Sequence, residues 1–286
     1  MKPSQALARA PLKPDAAVRV VAVFAALVTL SSACLYALRL LIPFGAAWGP
    51  LRWSEPTFDF LRMASVGASG LLASFWITGS LAGIGFRRAR WRYFLASAIL
   101  PLAYGAAIYG SAWASGIARF GGASALVHGA GAAIARTPSH FIAASGEEIG
   151  WRGALTPALA VRFGPRAAGV VTGFAWAVWH YVDIVFFGFR SGAPLLFELI
   201  CFTCALVGLS VFLAWLRLAS ASVWPGAVLH AAHNISMYAI YERANQPTAA
   251  SVLVTGEFGL GFAIAGLALG AFGWLRLPPA RALTAR

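Results

Sequence analysis

FIAASGEEIGWRGALTPALA, residues 141–160, is long enough to cross a bilayer, yet it carries Glu147, Glu148 and Arg152 within six positions. An ionised side chain at the centre of a membrane helix costs about 2.5–3.5 kcal/mol on insertion scales. Three of them are hard to retain without a task or a water-filled cavity, so this cluster is the first place to look for chemistry. Glu148 and Arg152 lie one helical turn apart on a common face, where an ion pair lowers the cost of both. Glu147 lies about 100° round the helix from Glu148 and is free to point elsewhere. Gly146, Gly150 and Gly153 are small enough for a neighbouring helix to approach closely. A purely structural ion pair would account for two of the three charges and leave one glutamate idle.

The rest of the chain agrees with a membrane setting. Its 286 residues are 60% hydrophobic and 11% charged, with a mean hydropathy of +0.75; a soluble domain is about a quarter charged. The fold class is therefore all-α, a polytopic bundle, with apolar windows near 17–43, 63–86, 93–116, 141–161, 167–188, 194–216, 221–241 and 252–275. That makes eight spans in a single membrane domain over 17–276, its chemical core at 140–240, between an N-terminal tail (1–16) and a C-terminal tail (277–286). The Gly- and Ala-rich stretch 119–140 reads as an interfacial or re-entrant helix, with Pro138 and Ser139 starting the fourth span.

The net charge of +13 does not mark a nucleic-acid binder, because the basic residues fall between apolar segments. Counted outside the spans, fourteen Lys and Arg collect on one side and seven on the other, which puts both termini in the cytoplasm. A composition rich in Ala and Arg and poor in Lys suggests a prokaryotic inner membrane. Cys34, Cys201 and Cys204 make no disulfide framework; the C-x-x-C of Cys201 and Cys204 lies in an apolar run and reads as packing.

Two further pieces carry polar side chains at membrane depth. Trp176-x-x-x-His180 lies in FAWAVWHYVD (174–183), and His230-x-x-x-Asn234 lies in VLHAAHNISMY (228–238). The i, i+4 spacing aims the imidazole and carboxamide of the second at one point. Either could be interhelical polar glue. With the orientation above, however, Glu147, His180, His230 and Asn234 fall at similar heights toward the outer face. Such a set suits amide hydrolysis: a carboxylate with an imidazole can activate water, and an imidazole with a carboxamide can donate to the oxyanion. No serine or cysteine sits in a convincing nucleophile context. Asp183, Glu198 and Glu257 fall toward the same ends, consistent with a wet cavity, Asp183 within reach of His180 at i, i+3. His233 is left without a role.

EEIGWRG (147–153), the W-x-x-x-H of 176–180 and the H-A-x-x-N of 230–234 resemble three motifs of the CPBP family, the CAAX protease and bacteriocin-processing or Abi proteins, among them the type II CAAX prenyl endopeptidases. Those motifs are EExxxR, FxxxH and HxxxN or HxxxD, and the resemblance covers about 140–240. It implies a glutamate-type intramembrane endopeptidase acting on a membrane-associated peptide or protein. In it Glu147 and His180 would activate water, His230 and Asn234 would stabilise the oxyanion, and Glu148, Arg152 and Trp176 would support them. Trp176 departs from the family's Phe; it keeps an aromatic platform and alters its shape. A Glu, His, His set could hold zinc, but HExxH is absent and the resemblance leans to a metal-free water, so no cofactor is expected. The competing reading is a non-enzymatic immunity, scaffold or transport protein using the same polar cavity, although no repeated halves or broken helix pair favours a transporter. Oligomeric state is not written in the sequence.

Overall fold

The computed structural model describes residues 12–48 and 51–279. The tail residues 1–11 and 280–286 lie outside the described residues. Helix α1 (Pro14–Leu41) starts three residues before the expected boundary, with Pro14 at its first position, where a missing N–H costs nothing. A two-residue hairpin, β1 (Ala47–Trp48) and β2 (Leu51–Arg52), joins it to α2 (Glu55–Thr78). Then come α3 (Trp91–Ala114), β3 (Arg119–Phe120) and α4 (Ala123–Glu148). A π-helical segment (Ile149–Leu155) leads into α5 (Thr156–Phe163), followed by α6 (Pro165–Phe186) and α7 (Leu195–Ser220). Helix α8 (Trp224–Asn234) runs into a second π-helical segment (Ile235–Tyr241). After β4 (Asn245–Gln246), which pairs with β3, α9 (Leu260–Arg276) closes the described chain.

The all-α bundle is as expected, but several boundaries move. Helix α2 begins at Glu55, not near 63, because Ser54 caps it by accepting from the Thr57 backbone N–H. It ends at Thr78, where Gly79 turns into the left-handed region at φ +68°. Arg62 thus lies inside a helix rather than in a loop. The supposed break at Pro138 is absent: Pro138 sits within α4, and the stretch taken for a separate interfacial helix is its first half. Thr137 Oγ1 and Ser139 Oγ donate to the Ala133 and Arg136 carbonyls beside the proline. A short 3-10 helix (Ser251–Leu253) and turns over 254–259 precede the last helix, which therefore starts late, at Leu260.

Among the described residues, five helices can cross a membrane by length and composition, α1, α2, α3, α6 and α7. The remaining long segments contain polar motif residues, a π-helical interruption, or too few residues. Large apolar side chains, among them Trp76, Ile134, Phe186 and Leu275, stand exposed on the outer surface, as lipid contact requires.

Packing sets the geometry of the charged segment. Helix α2 lies against α4 and its π-helical continuation, α4 also packs on α8, and α6 packs on the largely buried α7. A Cβ on Gly67 would stand 2.7 Å from the Gly146 carbonyl oxygen, and one on Gly150 would stand 2.5 Å from that of Val66. The glycines beside the charged cluster therefore allow two helix backbones to touch, the small-residue packing that membrane helices use.

Candidate active site

The three motifs arrive on three helices: Glu147 and Glu148 at the end of α4, Trp176 and His180 on α6, His230 and Asn234 on α8. In both α4 and α8 a π-helical segment follows at once. The wider π turn shifts the register of every later side chain, and such turns recur at functional sites. After α4, the Thr156 hydroxyl donates to the Trp151 carbonyl five residues back.

Glu148 is fully buried and forms the expected pair, Arg152 Nη1 donating to its Oε1 at 2.7 Å. The same oxygen accepts from His230 Nδ1 at 3.1 Å. Its other oxygen has no side-chain partner among the described residues and lies beside Gly226, where a Cβ would stand 2.9 Å away. The Arg152 guanidinium lies 4.0 Å over the Trp176 ring, a favourable cation–π arrangement. The indole Nε1–H of Trp176 donates to Glu147 Oε2 at 2.5 Å. Thus His230, Glu148, Arg152, Trp176 and Glu147 form one connected network, and Glu147, left over when the pair was read from sequence, is tied to the second motif.

His180 Nδ1 faces the Trp176 carbonyl at 2.9 Å. A carbonyl oxygen can only accept, so Nδ1 carries the proton and Nε2 of the neutral ring keeps its lone pair. Trp179 and Phe202 hold the ring edge-on, at centroid distances of 4.8 and 5.3 Å. Glu147, Trp176, His180, His230 and Asn234 all line one cavity of 390 Å³.

The neighbouring polar residues have partners of their own. Asp183 accepts from the Tyr36 hydroxyl at 2.7 Å and pairs with Arg62 at 2.9 Å, so the suggestion that it orients His180 is not what the geometry gives. His233 bridges Tyr104 (2.6 Å) and Glu257 (2.9 Å). Asp183, His233 and Glu257 line the cavity. Glu198 does not; it binds the Ser191, Gly192 and Ala193 backbone N–H groups and Arg190, fixing the loop before α7. Arg62, buried over the Trp179 ring at 3.9 Å, was missed as a cavity residue because its helix was started too late; the Ser-Glu-Pro at 54–56 was the available signal.

No group of three His, Cys, Asp or Glu side chains among the described residues is arranged to hold a metal ion. His230 spends Nδ1 on Glu148, and Glu147 spends one oxygen on Trp176. Those bonds leave the second Glu147 oxygen and the Nε2 atoms of His180 and His230 for a water or a substrate.

No curated protein matches the chain. Residues 130–236 match the family model described as type II CAAX prenyl endopeptidase Rce1-like. That range takes in all three motifs and every residue of the network. Together with five helices among the described residues that are apolar enough to cross a bilayer, it marks an integral membrane protein whose residues 130–236 are similar to the type II CAAX prenyl endopeptidase family.

Proposed function

We propose that the protein is an intramembrane endopeptidase that hydrolyses a peptide bond of a membrane-associated substrate with a bound water. The observation that carries this reading is the convergence of Glu147, His180, His230 and Asn234, from three helices, on one cavity. Glu147, held through Oε2, has its other oxygen for the water, and His180 offers a lone pair at Nε2. They take a proton as the water oxygen bonds to the scissile carbonyl carbon. Charge then develops on the carbonyl oxygen. The Asn234 amide can donate to it, and so can His230 once Nε2 is protonated, its ring charge facing Glu148. The C–N bond breaks, the proton passes to the leaving amine, and Glu147 and His180 are restored. Positioned acid–base groups of this kind contribute about 10²–10⁴-fold.

Glu148 and Arg152 act on His230 and Trp176 rather than on substrate. The same reading puts the protein in a prokaryotic inner membrane with both termini cytoplasmic, which a reporter fused to the C-terminus tests. For the activity, the wild type, Glu147→Ala and His180→Ala are incubated in nanodiscs with membrane-anchored peptides, and products are mapped by mass spectrometry. Cleavage by the wild type alone is expected. Equal behaviour of all three proteins would favour a scaffold.

A further inference from the structure

A second cavity, of 270 Å³, lies apart from the first and shares none of its lining residues. Its walls include Val20, Val161 and Leu218, and its polar end holds Arg217 and Arg87. No Asp or Glu among the described residues lines it. Arg217 is 7% exposed, yet its Nε has no hydrogen-bond partner among the described residues. Its Nη2 donates to the Gly83 carbonyl at 2.8 Å. Gly85, at φ +88°, makes room for the guanidinium: a Cβ there would stand 2.5 Å from Nη2. Arg87 also borders an adjoining cavity of 250 Å³ with Arg88 and Arg90, again without a carboxylate.

A buried guanidinium with an idle donor and no counter-charge is expensive unless something anionic completes it. The planar fork of arginine matches phosphate oxygens. Basic pockets between membrane helices, with apolar walls beside them, suit an anionic headgroup whose acyl chains stay in the bilayer. We propose that this cavity binds an anionic phosphate group, as carried by a phospholipid headgroup, with Arg217 and Arg87 as its ligands. Gly153 and Ala154 of the first π-helical segment line it, so its occupant touches the turn that follows Arg152. The proposal stands whether or not the first cavity cleaves peptides.

The test uses the full chain, with native mass spectrometry and thermal unfolding as readouts. Probes are nanodiscs of phosphatidylcholine alone, nanodiscs of phosphatidylcholine with phosphatidylglycerol, and sodium phosphate in detergent. The wild type is expected to retain phosphatidylglycerol in preference to phosphatidylcholine. Arg87→Gln and Arg217→Gln should each weaken that binding about fivefold, the scale of one arginine beside an anionic headgroup. Stabilisation by sodium phosphate, lost in both variants and without any lipid preference, would also support the site and name free phosphate as the source. Absence of both preferences in the wild type, or equal retention in folded Arg87→Gln, would overturn it. Arg87 is exposed, so that variant carries the test should Arg217→Gln fail to fold.

Discussion

Arg152→Met removes the cation of a pair in which both partners are buried, 1% and 0% exposed, at 2.7 Å. Methionine keeps much of the volume, so the main change is electrostatic. Glu148 is left with His230 as its remaining partner, and the Trp176 face loses the guanidinium. Removing one member of a buried pair costs about 3–5 kcal/mol, because the other charge stays buried without compensation. At about 2–4 °C per kcal/mol for a large domain, the thermal midpoint should fall by about 6–20 °C. The double variant Glu148→Gln/Arg152→Met removes both charges and should recover a substantial part of that loss. Tryptophan fluorescence of the protein unfolding in detergent reads all the midpoints, since Trp151 and Trp176 are both buried in this region. The reasoning fails if Arg152→Met melts within a degree or two of the wild type, or if the double variant loses the sum of the single losses. Either result would mean that the pair is not coupled in the folded bundle.

Two more outcomes follow from the site. Trp176→Phe keeps an aromatic ring beside Arg152 but deletes the N–H that holds Glu147; a hydrogen bond to a charged group is worth about 1.5–3 kcal/mol, so peptide cleavage should slow by about ten- to a hundredfold, and an unchanged rate would show that Glu147 needs no such anchor. Chelator treatment should leave cleavage unchanged, whereas loss of activity with rescue by added zinc would require a metal-based account in place of the proposed one.

Much of the site was legible because charged and imidazole side chains are rare in apolar windows. Glu147, Glu148, Arg152, His180, His230 and Asn234 stand out in the sequence without any structure. Element type was legible too, since length and hydropathy permit little besides a helical bundle. Helix ends were less so. A hydropathy window slides over a polar first turn, which is how Glu55 through Arg62 escaped α2, and a proline such as Pro138 can stay in a membrane helix when nearby hydroxyls bind the local carbonyls. The π-helical segments left no readable mark in the sequence; the first packs against α2 and the second chiefly against α4. Nor could spacing tell that Asp183 belongs to Tyr36 and Arg62, residues 147 and 121 positions away in the chain, or that Glu147 is held by Trp176.

The most direct measurement compares cleavage of one membrane-anchored peptide by the wild type, Glu147→Gln, His180→Ala and the double variant, all verified as folded. If the two side chains act on one water, each single change should cost about 10²–10⁴-fold, and the double should be little worse than the poorer single. Single variants that cleave as fast as the wild type, or losses that multiply in the double, would contradict a shared water.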